Sequence, residues 1–197
     1  MSAKGNTSEQ GEQVKSGAFV SENIPVRKGR RPATLRGPLH IQCNGHGDRK
    51  YLHKLAADVL SWPYIEATPP THGPSNILSI RVDKAATAKD STAFLTPGEF
   101  ARILFGAATI YLALPLVCAH WAIVRGWAEP HYLRSSGVMP PGALIVYTPR
   151  NPEELSVCYS LFFAAYHSAC KLPSGSEMIA KFATVYKYLL RDIAAPS

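Results

Sequence analysis

The chain has 197 residues, 46% of them hydrophobic and 18% charged. That balance excludes a disordered chain and suits one globular domain with a sizeable core. The formal net charge is +7. Arg27, Lys28, Arg30, Arg31 and Arg36 stand close together, but no nucleic-acid recognition motif accompanies them, so no specific nucleic-acid partner is expected. Beyond solvation, the role left for residues 27–36 is weak contact with an anionic membrane surface.

Residues 1–23 are rich in Ser, Gly, Gln, Glu and Lys and read as a disordered tail. They lack the apolar stretch of a secretory leader. Cys43, Cys118, Cys158 and Cys170 form no CxxC pair, which argues against a structural zinc site and for reduced thiols in a cytoplasmic protein. Residues 24–47 are Pro- and Arg-punctuated and read as an extended basic arm, taken as solvated. Asp48 can cap a helix running to Leu60, whose apolar face is Tyr51, Leu52, Leu55, Ala56, Val59 and Leu60. Trp62 to Ala67 and Ile77 to Val82 read as strands about a Pro/Gly turn. A polar loop over 83–92 and a short apolar segment over 94–103, interrupted by Pro97-Gly98, follow.

Between Arg102 and Arg125 the chain has no charged residue, the length of a membrane span. Pro115 falls in the middle, and the half before it is β-prone. The spacing therefore predicts a buried strand over 109–114 and a buried helix opened by Pro115, not one spanning helix. A loop over 129–142 leads to the apolar run Ala143–Thr148, short enough for a central strand. Asn151, Pro152, Glu153 and Glu154 then open a helix to residue 170, with Leu155, Cys158, Tyr159, Phe162, Phe163 and Tyr166 on its buried side. A last helix is expected over 176–193.

These elements predict a single α+β domain, a central mixed sheet with helices packed on it. The segments expected are a tail over 1–23, the arm over 24–47, the α+β domain over 48–172 and a C-terminal helix over 173–197. A monomer is expected. No phosphate-binding Gly-rich loop and no nucleophile elbow occurs. His40, His46, His53 and His72 are scattered and suggest no metal site, while His120 and His167 lie on apolar helices.

Several motifs, in order, resemble the fungal luciferase family. They are Ile24-Pro25-Val26-Arg27-Lys28-Gly29-Arg30-Arg31-Pro32, Glu99-Phe100-Ala101, Leu112-Ala113-Leu114, Gly126-Trp127, His131 and Tyr147-Thr148-Pro149-Arg150-Asn151. The resemblance implies a luciferase-like domain over 48–172 that oxidises a hydroxylated styryl-pyrone or related polyphenol. Molecular oxygen would be the co-substrate, with no other cofactor and no metal. Such chemistry needs a base, donors for an enolate and a dry aromatic pocket. On that basis His131 is the candidate base, Arg150 an oxyanion partner and Tyr111 a third catalytic group. Trp127, Glu99 and Arg102 are candidate substrate contacts.

The sequence departs from the family where relatives carry histidines: Arg102 follows the Glu-x-Ala segment, Leu104 stands two residues on, and Tyr111 replaces the His of a Leu-His-Leu strand. A Leu is neither base nor ligand, and Tyr111 keeps only a phenol. Two other readings therefore stay open: a non-catalytic relative that binds a small aromatic ligand, and a basic peripheral interaction protein.

Overall fold

A computed structural model of the chain describes residues 24–37, 39–68 and 76–171. The expected N-terminal tail, the turn over 69–75 with His72, and the C-terminal helix lie outside the described residues. Among the described residues, eight strands and three α-helices run in the order β1 (Thr34–Leu35), β2 (Ile41–Gln42), α1 (Arg49–Leu60), β3 (Ile65–Thr68), β4 (Ile77–Val82), β5 (Glu99–Leu104), β6 (Thr109–Ala113), α2 (Leu116–Val124), β7 (Ala128–Pro130), β8 (Ala143–Val146) and α3 (Pro152–Ala169). β1 and β2 pair with each other; the rest form a six-stranded sheet in the order β3-β4-β5-β6-β8-β7. The α+β expectation holds. The sheet expected to be mixed is antiparallel in every pairing, because its connections are hairpins or return through α2 and the loop after β7.

Local chemistry accounts for the helices. Asp48 Oδ1 accepts from the Lys50 amide at 2.9 Å and starts α1, which buries Leu52, Leu55, Ala56 and Val59. Pro115 ends the β6 segment and caps α2, so the apolar stretch between Arg102 and Arg125 is strand then helix, as its proline demands. No helix among the described residues is long and apolar enough to cross a membrane. Gly126, at φ 81°, ends α2 in the left-handed conformation that glycine adopts without strain. Asn151 Oδ1 accepts from the Glu154 amide at 2.9 Å, Pro152 opens the first turn of α3, and Phe162 and Tyr166 are fully buried on it.

The strands have two unlike faces. Ile80, Phe100, Ile103, Ile110, Leu112, Leu144 and Val146 face the three helices and form the main core. On the other face a smaller cluster gathers Ile77, Leu95, Leu104, Tyr111, Ala113, Ala143, Ile145 and Tyr147, with Ile41 and Met139 packed on it. Among the described residues, no α-helix covers that side. Its cover is the stretch through β2 and the loop from His131 to Gly142.

Two local expectations are corrected. The loop predicted over 129–142 contains β7, which pairs with β8, and a 3-10 turn at Tyr132–Arg134. β7 is too short, and ends in Pro130, to show a strand pattern. The arm expected to be solvated over 24–47 is instead packed on the domain. Arg27, His40 and Gln42 are buried, while Lys28, Arg30, Arg31 and Arg36 stay exposed. Gln42 locks this segment down: its amide donates to Thr109 Oγ1 at 2.9 Å, and its Oε1 accepts from the Thr148 amide at 3.0 Å. Gly142 serves a close approach at the end of β6, since a Cβ there would collide with the Leu114 carbonyl oxygen.

Candidate functional site

Strand register places a polar line across this second face. Ser79 pairs with Arg102, Arg102 with Tyr111, Tyr111 with Ile145, and Ile145 with Glu129. Directly paired residues share a face of the sheet, so four strands deliver Ser79, Arg102, Tyr111 and Glu129 to one side. Leu104 falls on the same side, one pleat along from Arg102. Positions 102, 104 and 111, where the resemblance implies histidines, are therefore one contiguous patch.

Arg102 is held from below. Its Nε and Nη2 donate to the two oxygens of Glu99 at 2.7 and 2.6 Å, and Thr96 Oγ1 donates to the same carboxylate at 2.6 Å. Glu99 is fully buried. A buried carboxylate this fully engaged is a fixed anchor for its guanidinium. The Glu99 hydrogen bonds hold Arg102 protonated, above its already high ordinary value.

Over Tyr111 lie two imidazoles. His131 meets the Tyr111 ring edge to face at 4.9 Å between centroids, and His40 meets His131 in the same way at 5.4 Å. His40, Tyr111 and His131 are 0%, 2% and 3% exposed. The Tyr111 hydroxyl donates to the His40 carbonyl oxygen at 2.8 Å. Both imidazoles accept, at Nδ1, from neighbouring amides of the 3-10 turn: His40 from Tyr132 and His131 from Leu133, each at 3.3 Å. These bonds assign hydrogen to Nε2 in both neutral rings. His40 Nε2 lies 2.9 Å from Glu129 Oε1, but outside good hydrogen-bond geometry.

Electrostatics keeps both rings neutral. Burial, then the neighbouring His40 and Arg102, push His131 down to about 4. Burial also lowers His40, outweighing the pull of Glu129. Burial pushes the Tyr111 phenol up to about 12 despite its bond to the His40 carbonyl. The two neutral rings thus lie beside the Arg102 guanidinium and its Glu99 anchor.

The remaining candidates form a second cluster beyond Tyr147. Arg150 donates from Nε to Glu154 Oε1 at 2.8 Å and from Nη2 to the Lys28 carbonyl oxygen at 2.6 Å. Arg27 reaches the other Glu154 oxygen at 3.2 Å and lies over the rings of Trp127 and Tyr147, at 5.9 and 5.4 Å from their centroids. Trp127 Nε1 donates to the Pro25 carbonyl oxygen at 2.6 Å. Burial raises the Glu154 carboxyl, but Arg150 and Arg27 outweigh it and hold the group below its ordinary value. Tyr147 links the clusters, because its hydroxyl donates to Glu129 Oε2 at 2.9 Å.

Of the predicted site residues, the structure brings together Glu99, Arg102, Tyr111 and His131. It places Arg150 and Trp127 with Arg27 and Glu154 instead. The Arg150 guanidinium, expected as an oxyanion partner, is instead paired with Glu154, four residues on. Sequence reasoning missed His40 and Glu129 as members of the site. His40 lies 71 residues before Tyr111, and no periodicity signals such a contact. The burial of a His between Leu39 and Ile41 was the only available hint. Among the described residues, no three His, Cys, Asp or Glu side chains converge as a metal site.

Comparison with known proteins finds two matches. Residues 98–165 match the family model of the Luciferase domain. That stretch runs from the start of β5 into α3 and holds every candidate above except His40 and Arg27. A luciferase of Armillaria ostoyae is 26% identical over 173 residues, which cover 80% of this chain and 65% of that protein. The chain thus spans just under two thirds of that curated relative's length. No solved structure matches the chain.

Proposed function

This chain carries a luciferase domain and belongs to the luciferase-domain family of fungal proteins, and from that premise we propose that it is a cofactor-independent oxygenase of a hydroxylated styryl-pyrone or related polyphenol. One observation carries the proposal. At the three positions where the resemblance implies histidines, the second face of the sheet gathers Arg102, Leu104 and Tyr111, and two buried imidazoles, His131 and His40, stand beside them. A connected cluster of buried polar groups with shifted titration is where functional sites are commonly found.

The chemistry assigned to the patch is stabilisation of an anion. An enolic hydroxypyrone is acidic and loses its proton readily. Arg102, anchored on Glu99, supplies positive charge and neutral His131 an N–H donor to hold the enolate in a water-poor setting, while the Tyr111 hydroxyl stays committed to the His40 carbonyl oxygen. The electron-rich enolate then reacts with oxygen. In this arrangement His131 acts as a neutral donor rather than as the base first expected of it, because its Nδ1 lone pair is taken by the Leu133 amide.

The test is incubation of the purified protein with hydroxylated hispidin in oxygenated buffer, recording oxygen uptake, carbon dioxide and light. Substrate-dependent oxygen uptake supports the reading; its absence sinks it. A second reading, a relative that binds the aromatic molecule without oxidising it, is favoured by one specific feature. Both imidazole lone pairs face backbone amides and the Tyr111 phenol sits near 12, so no side chain of the patch is a free base. Tight hispidin binding without oxygen uptake would decide for that reading.

A further inference from the structure

The uncharged stretch between Arg102 and Arg125 is only partly absorbed by the core. Its last part, α2, carries no Asp, Glu, Lys or Arg on any side. A helix apolar all round is ordinarily enclosed all round, yet α2 buries only Cys118, Ala119 and Ala122. Leu116, Val117 and Val124 stand 61%, 61% and 53% exposed, and His120 and Trp121 lie between them on the same outward stripe. We propose that this stripe is a docking surface for a bilayer of anionic lipid, its side chains entering the boundary between headgroups and acyl chains.

The border of the stripe identifies the partner. At the C-terminal end of α2, Arg31 Nη2 donates to the Ile123 carbonyl oxygen at 2.6 Å, and the Arg125 guanidinium lies over the Trp121 ring, 5.7 Å from its centroid. The Arg27 amide donates to the Arg125 carbonyl oxygen at 2.9 Å, which brings exposed Val26 and Lys28 to the same end. Residues 24–37 and 114–128 hold Lys and Arg but no Asp or Glu. An apolar stripe with a tryptophan and a border of one charge sign suits an anionic interface. The apolar groups bury among acyl chains, and the guanidinium and ammonium groups meet lipid phosphates and carboxylates. A second copy of the chain fits less well, because two-fold pairing through α2 would set like-charged borders against each other. At nine residues α2 is too short to span a bilayer, so it would lie in the plane of the interface.

Docking in this way leaves the polar line uncovered. The buried side of α2, Cys118, Ala119 and Ala122, belongs to the main core with the strand residues that face the helices. Tyr111 belongs to the cluster on the opposite face of the sheet. Membrane contact at α2 and chemistry beside Tyr111 are therefore independent of one another.

The experiment is sedimentation of the full chain with phosphatidylcholine vesicles, with and without about one third phosphatidylserine. The proteins are the wild type, Val117→Asp and the double variant Lys28→Gln/Arg30→Gln. Tyr64→Asp and Lys84→Gln serve as controls: both positions are exposed and lie by β3 and β4, at the sheet edge opposite β7, on which α2 packs. Val117 stands in the first turn of α2, where an Asp suits the helix dipole, and Lys28 and Arg30 are exposed, so these variants should melt with the wild type. The expected result is wild-type binding to the phosphatidylserine vesicles that weakens as salt is raised. Binding should be at least tenfold weaker in Val117→Asp and in the double variant, and unchanged in the controls. No binding by the wild type, equal binding to vesicles without phosphatidylserine, or undiminished binding by either α2-side variant overturns the proposal. A Val117→Asp melt several degrees below the wild type would show that another part of this chain already covers α2. A wild-type dimer that Val117→Asp dissociates would give the stripe to a second copy. Either result also overturns it.

Discussion

His40 and His131 stand edge to face, 5.4 Å between ring centroids, and each accepts at Nδ1 from one of two successive amides, those of Tyr132 and Leu133. One turn of backbone thus sets the tautomer of both rings. The arrangement is stable only while both rings are uncharged, since two imidazolium ions this close would repel and would lose their acceptor atoms.

That relationship gives a pH dependence with a definite sign. His131 takes up its proton near 4 in the folded chain and near 6.5 when unfolded. Between these values the unfolded chain binds more protons. The stability due to neutral His131 is therefore complete above about 6.5 and is lost as the pH falls toward 4. At 1.36 kcal/mol per pH unit the loss is on the order of 3 kcal/mol. His40 shifts in the same direction and adds to it. Urea midpoints measured from pH 7.5 to pH 4 should fall, and His131→Gln should flatten the slope. A slope unchanged by the substitution would mean that His131 is open to protonation in the folded state.

Tyr111→Phe removes the donor to the buried His40 carbonyl oxygen without changing the ring. The cost should be about 1–3 kcal/mol, the range for a buried acceptor left without its partner. Chemical denaturation measures it. A neutral result would show that water replaces the hydroxyl and that the face is wetter than its burial implies.

Glu154 and Arg150 should behave differently although they share an ion pair. Glu154→Ala leaves Arg27 buried without its carboxylate, and breaking a buried pair in this way costs about 3–5 kcal/mol. Arg150→Ala leaves the Arg27–Glu154 pair in place and removes a partly exposed group, so it should cost about 1 kcal/mol or less. Thermal melts of the two variants decide the matter, and equal losses would refute the central place of Glu154.

Phe162 lies fully buried on α3, against the helix-facing side of the sheet. Phe162→Ala should destabilise the domain by about 3–5 kcal/mol through lost burial and the cavity left behind. A loss below about 1 kcal/mol would mean that the core collapses into the gap.

The catalytic reading has its own consequence. If His131 donates to the enolate, His131→Ala should lower oxygen uptake with hydroxylated hispidin about 10²–10³-fold, the range for one lost oxyanion donor. Substrate-free oxygen consumption, compared in parallel, separates this from background oxidation. An undiminished rate would place the reacting atoms elsewhere.

The sequence by itself determined the local elements. Asp48 and Asn151 carry their helix starts in their side chains, Pro115 divides an apolar stretch into strand and helix, and apolar periodicity marks α1 and α3. These signals act within a few residues, so a linear reading can find them. Order among the motifs likewise indicated the family. Tertiary structure alone decided which polar residues meet. Arg102, Tyr111 and Glu129 became neighbours through antiparallel register across β5, β6, β8 and β7. His40 joined them because Gln42 binds its segment to Thr109 and Thr148. Arg27, legible only as part of a basic run, became a core residue because Glu154 and the rings of Trp127 and Tyr147 surround it. Contacts of this kind depend on strand order and on burial free energy summed over distant segments, and no short window of sequence contains either.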